Sequence, residues 1–164
     1  MLKFLSGIAI IVFSTFCGYL LSKRYRRKKL FFQELKAFNE RFLSEISYFR
    51  RPIREFVASF SYQGEFRIFL ESFFSMMGKD AINVWNILNL SNFSFLTEEE
   101  KGMVSDYFLM LGKGDSLSQK GYFSSMKEPL SKCYIESEKD CKRYGDLYVK
   151  IGFLCGLLIL ILIV

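Results

Sequence analysis

The residue types that most often perform chemistry are scarce in this chain. It has no histidine, which removes the commonest general base and the commonest metal ligand together. Four cysteines, Cys17, Cys133, Cys141 and Cys155, form no CxxC pair, so zinc and thioredoxin-type chemistry have no motif to rest on. Cys133 and Cys141 on one helix would lie about 12 Å apart, beyond the roughly 7 Å between Cα atoms that a disulfide tolerates. A thiolate nucleophile would lack the base that usually activates it. The stretch "GKGDS" brings Gly112 and Lys113 together, but a phosphate loop needs GxxxxGK[ST] between a strand and a helix. Lys113 is followed by Gly114, and the stretch reads as a helix stop and a turn, with Asp115 placed to cap the next helix. The expectation is a protein that binds and positions: no enzyme, no cofactor, no metal.

The positive charge is the next candidate. The net charge is +6, and "KRYRRKK" alone carries six positive charges, on Lys23, Arg24, Arg26, Arg27, Lys28 and Lys29. Without that run, 17 basic residues face 17 acidic ones, so the excess is one local patch. It directly follows the uncharged run from Phe4 to Leu21, which is the positive-inside pattern of a membrane anchor. That position argues against the competing reading, a nucleic-acid-binding arm. A second basic cluster, Arg50, Arg51 and Arg54 in "RRPIR", is a candidate contact for lipid headgroups or an acidic partner.

These charges call for elements that hold them. Residues 1–22 read as an uncleaved N-terminal transmembrane anchor, because the apolar run is long, no small-x-small cleavage site follows it, and the basic cluster does. Residues 23–29 are then the basic juxtamembrane segment. The other end, "KIGFLCGLLILILIV", has fourteen uncharged residues after Lys150, about 21 Å of helix against a bilayer core of about 30 Å. Counting back to Leu147 gives residues 147–164, about 27 Å, with Lys150 snorkelling and Tyr144 and Tyr148 at headgroup level. No polar face interrupts "LLILILIV", so a buried core helix would need apolar partners on every side. Both ends are thus expected to cross one membrane, with both termini outside.

Residues 30–146 read as a cytoplasmic helical domain. Phe31, Leu35, Phe38, Phe42, Ile46 and Phe49 recur at helical spacing. Pro52 separates them from Ile53, Phe56, Val57 and Phe60, "SYQG" turns the chain, and Phe66, Phe69, Leu70, Phe73 and Met77 mark another helix ending at Gly78. Ile82, Trp85 and Leu88 suggest a short segment before a polar loop. Thr97 with Glu100 fits a capping box, opening a helix through Val104, Tyr107, Phe108 and Leu111. The last helix is expected to be long and kinked at Pro129, with a seam of Met126, Leu130, Cys133, Ser137, Cys141, Tyr144 and Tyr148. The nineteen phenylalanines fall at core spacings and need no ligand to explain them. The fold class is all-α: an antiparallel helical bundle flanked by N-terminal and C-terminal transmembrane helices.

Over its full length the chain resembles the stage III sporulation protein AB family of endospore-forming bacteria. "MLKFLSGIAIIVFSTFCGYLLSKRY" looks like that family's anchor, and "LSEISYFRRPIREF" resembles its segment with Glu45, Ile46, Tyr48 and Pro52. "MLGKGDSLSQKGYFSSM" matches a stretch carrying Leu111, Gly112, Asp115 and Gln119, and the end is similar to a Leu-Gly-x-x-x-Gly-Leu pattern with Ile151 at the first position. Pro129 and the Phe-rich residues 64–96 depart from the family's pattern.

The resemblance implies a soluble part similar to the cytoplasmic domains of F-type platform proteins of type II secretion and type IV pilus systems. It implies a non-enzymatic platform subunit in the mother-cell membrane around the forespore, within the secretion-like complex linking the two cells. The implied partners are the bilayer, a stage III sporulation protein AA-like ATPase, other subunits of the complex and further copies of the chain. No nucleic acid is expected, and the family supplies no catalytic residues. The alternative is a small oligomeric channel or membrane-permeabilising protein, for which the first span offers only Ser6, Ser14 and Thr15 as polar lining.

Overall fold

A computed structural model describes residues 2–48, 52–77, 83–111 and 116–163. The chain is all-helical, with no strand among the described residues. Its helices are α1 (Leu2–Tyr48), α2 (Ile53–Ala58), α3 (Gly64–Met76), α4 (Val84–Leu88), α5 (Glu98–Met110), α6 (Ser116–Ser125) and α7 (Lys127–Ile163), with a 3₁₀ turn at Ser91–Phe93. Two compact units result: one from Met1–Lys29 with Glu136–Val164, the other from Leu30–Ile135. Residues 136–146 therefore group with the apolar ends of the chain.

The Leu30–Ile135 unit is built around aromatic rings. The later part of α1 buries Phe31, Leu35, Phe38 and Phe42 at the expected spacing, and also Phe32 and Leu43. Phe38 is central: its ring lies within 5.6–6.3 Å of those of Phe56, Tyr62, Phe66, Tyr107 and Phe108, mostly edge-on or tilted. α3 adds Phe66, Phe69, Leu70 and Phe73, and α5 adds Val104, Tyr107 and Phe108. A buried polar tie crosses this core. The Tyr107 hydroxyl donates to Asn39 Oδ1 (3.1 Å), and Asn39 Nδ2 donates to the carbonyl of Phe123 on α6 (3.1 Å). Burial pushes the Tyr107 phenol well above its usual pKa, so it stays a donor.

Local signals explain the boundaries. The capping box forms as expected: Thr97 Oγ1 accepts from the Glu100 N–H (3.3 Å) and Glu100 Oε2 from the Thr97 N–H (2.9 Å). Gly64 opens α3 at a φ of 58°, where a Cβ would also stand 2.7 Å from Leu30 Cδ2, so "SYQG" must end in glycine.

The long last helix is interrupted close to the expected kink: α6 ends at Ser125, Met126 is a turn residue, and Pro129 sits in the first turn of α7, while the Met126 N–H to the Tyr122 carbonyl and the Leu130 N–H to the Met126 carbonyl (both 3.1 Å) carry the helical pattern across the break. The short segment forms as α4, with Leu88 facing in and Trp85 facing out. Val84, Ile87 and Leu88 are buried on α4, and Trp85 is 41% exposed. Ile82, Gly78 and the "GKGD" residues lie outside the described residues.

Candidate functional site

In the unit formed by the chain ends, the early part of α1 and the late part of α7 run antiparallel in close contact. Glycine makes that approach possible. A Cβ at Gly152 would lie 2.6 Å from the Ser14 carbonyl oxygen, and one at Gly156 would lie 2.9 Å from Ile11 Cα. A Cβ at Gly18 would strike the carbonyl oxygen of Tyr148, and one at Gly7 the Leu160 side chain. Gly152 and Gly156 are four residues apart and share one helix face, the small-xxx-small arrangement that lets apolar helices meet backbone to backbone. The Ser14 hydroxyl spans the gap, donating to the Gly152 carbonyl (2.6 Å).

Outward, this pair presents a band of apolar side chains. Phe13, Phe16, Leu20, Phe153, Leu158 and Ile161 are all exposed. One helix among the described residues, within Leu117–Ile161, is long and apolar enough to cross a membrane, and only 17% of its apolar window is buried. A core helix of a water-soluble domain would be mostly buried. An exposed apolar surface of this extent marks a membrane or protein contact.

The polar residues collect at one end of the pair. Tyr25 packs against Tyr144 and Tyr148, with ring centroids 5.3 and 5.8 Å away, and Arg143 lies over the Tyr144 ring. Of the basic run, Arg26 faces Asp146 (3.6 Å) and Lys29 faces Glu138 (3.6 Å), which Lys142 also approaches (3.3 Å). Lys142 first, and Lys29 with it, hold the Glu138 carboxyl below its usual range. Lys23 and Arg24 are exposed, while Arg27 and Lys28 are half-buried on the same helix. The run is thus partly neutralised by carboxylates of α7, an arrangement that a reading of residues 23–29 alone does not show.

In the Leu30–Ile135 unit, only Arg54 of the second basic cluster can be placed; Arg50 and Arg51 lie outside the described residues. Arg54 is on α2, where Nη2 donates to the carbonyl of Met77 (3.1 Å) beyond the end of α3. It stands at a cleft of about 480 Å³ between α2 and α3, whose lining is mostly apolar and includes Val57, Phe60, Tyr62, Leu70 and Phe74. Arg67 and Glu71 also line it, paired at 3.3 Å. Arg41 stacks over Phe60 and Tyr62, 4.7 and 5.5 Å from their centroids. Burial pushes the Tyr62 phenol up, and hydrogen bonding to Arg41 together with its charge pulls it back, although among the described residues no group meets strict hydrogen-bonding geometry at Tyr62 Oη or Arg41 Nη1, both buried. Tyr62, Arg67 and Phe74 were not singled out from the sequence as partner contacts. The cleft is assembled from α2, the turn after it and α3; the sequence marked Val57, Phe60 and Leu70 by helical spacing and Arg54 by charge, but not that they meet.

No three His, Cys, Asp or Glu side chains among the described residues group so as to hold a metal ion. Comparison with curated proteins and with solved structures gives no match. A family model described as stage III sporulation protein AB does match, over residues 3–164, and with an all-helical chain whose apolar ends pair through glycine, this chain belongs to that family.

Proposed function

We propose that the protein is a non-enzymatic, two-pass membrane platform subunit of the sporulation secretion-like complex between mother cell and forespore. In this reading the glycine-packed pair is a transmembrane hairpin, and the Leu30–Ile135 unit is a helical bundle held on the cytoplasmic side. There it docks the ATPase of the complex, in the manner of F-type platform proteins. The observation that carries the reading is the family match across residues 3–164. The exposed apolar band supports the membrane setting, because in water it would be a liability. The basic run at one end of the hairpin supports the orientation, since Lys and Arg beside a span favour the cytoplasmic side.

A channel finds less support. Ser14 donates to Gly152 and the Thr15 hydroxyl to the Ile11 carbonyl (2.8 Å), so both hydroxyls are spent within the helix pair. Deleting the gene is expected to block spore development after engulfment, and the tagged protein to co-purify with the ATPase. Normal sporulation of the deletion strain would end the proposal.

A further inference from the structure

We propose that the α2–α3 cleft receives an acidic, amphipathic segment of a partner protein, which lays an apolar side chain on Val57, Leu70 and Phe74 and sets a carboxylate against Arg54 and Arg67. For its setting this rests on the platform reading; its chemistry comes from the cleft. The volume of about 480 Å³ is within the roughly 300–1,000 Å³ of binding pockets. The floor is apolar, so it selects an occupant with apolar surface to bury.

The sign of the charge selects the rest. Two guanidinium groups, of Arg54 and Arg67, line the cleft against one carboxylate, Glu71, while behind the lining Arg41 is offset by Glu34. Glu71 approaches Arg67 at Nε (3.3 Å), and both side chains are more than half exposed, so a second carboxylate can join at the outer edge. Arg54 is anchored by its bond to the Met77 carbonyl, which holds a positive group at the mouth. Apolar walls of low dielectric focus that field on an incoming acid. The Tyr62 hydroxyl, on a side chain 6% exposed beside the Arg41 guanidinium, meets no strict hydrogen-bonding geometry among the described residues and is a further donor for an arriving carbonyl or carboxylate.

A lipid headgroup fits less well, because a phosphate site needs converging donors where this cleft offers an apolar floor. A second copy would have to present its own acidic run, Glu98–Glu100, and is an outcome of the test.

The test uses the full-length protein in sporulating cells of its native host. A photo-crosslinking amino acid replaces Ala58, an exposed residue lining the cleft, and in a control strain replaces Lys120, exposed on α6. Crosslinked peptides are sequenced by mass spectrometry. The proposal expects the Ala58 probe to capture a peptide from another protein that carries Asp or Glu within a helical turn of an apolar residue. With Arg54→Glu and Arg67→Glu together, capture falls about tenfold or more at equal membrane levels of the protein. Arg54→Lys with Arg67→Lys retains most of it, and Tyr62→Phe weakens it without lowering thermal stability. Capture of lipid, of a second copy, or of a peptide without acidic residues overturns the proposal, as does a yield no higher than at Lys120. If the deletion strain sporulates normally while the Ala58 probe captures an acidic segment, the platform reading fails and the cleft assignment stands.

Discussion

Replacing Gly152 by alanine adds one methyl group, and its cost follows from the geometry of the helix pair. The new Cβ would lie 2.6 Å from the Ser14 carbonyl oxygen, 3.3 Å from Gly18 Cα and 3.4 Å from the Ser14 carbonyl carbon. All three are backbone atoms, so no side chain can swing aside. Restoring an ordinary contact of about 3.5 Å requires the helices to part by about 1 Å. That takes the Ser14 to Gly152 hydrogen bond, now 2.6 Å, to the edge of bonding distance. An interhelical hydrogen bond in a membrane is worth roughly 0.6–1.7 kcal/mol. A gap of 0.5–1 Å also forfeits about a quarter to a half of the dispersion energy of each contact along the seam. Together these come to about 1–3 kcal/mol, a shift of roughly 5- to 150-fold in the closed-to-open ratio of the hairpin. Spin labels on Cys17 and Cys155, both exposed and one on each helix, report that ratio in full-length protein in nanodiscs titrated with SDS, with Cys133 and Cys141 replaced by alanine. The Gly152→Ala protein is expected to open at lower SDS and to show a longer, broader distance. The reasoning is refuted if its midpoint matches that of the parent.

Other perturbations probe the domain and the polar end of the pair. Asn39→Ala leaves both the Tyr107 hydroxyl and the Phe123 carbonyl buried without partners, and should cost about 2–4 kcal/mol in urea unfolding followed by the single tryptophan, Trp85. Tyr107→Phe strands only Asn39 Oδ1 and should cost less. Gly121→Ala on α6, where no atom lies within 4 Å of the added methyl, should instead stabilise by about 0.5–1 kcal/mol in the same assay. Because Lys142 and Lys29 depress the Glu138 carboxyl, the unfolded chain takes up its proton first as pH falls. The contribution is therefore present above a pH of about 4.3 and is lost as the pH drops through the lower folded value. Glu138→Gln should flatten stability in that acidic window, and raised salt should shrink the difference between the two proteins.

What could be read from the residues alone was whatever is local. The capping box at Thr97 and Glu100 carries its own geometry, and the Phe31 to Phe42 stripe carries its own period, so both appear where expected. The break near Pro129 was visible, but its position depended on whether proline sits inside a helix or in a first turn, which residue type does not decide. The α4 segment is only five residues long, and one turn and a half cannot set a phase, so the residues alone did not tell that Val84 and Ile87 face in and Trp85 out. The glycine contact at Gly152 and Gly156 and the pairing of Lys29 with Glu138 join residues more than a hundred positions apart. No periodicity within either helix specifies which register the two adopt. The α2–α3 cleft depends likewise on three segments meeting, so only Arg54 was flagged as a partner contact beforehand.

The central claim is that a helical domain is held at both ends against the cytoplasmic face of a membrane. Cys133 lies in that domain, and a thiol reagent unable to cross membranes reads its side directly in cells expressing the chain with its other three cysteines replaced by alanine. The account predicts no labelling of Cys133 in intact cells and full labelling after lysis and denaturation. Labelling in intact cells would place the domain outside and contradict it.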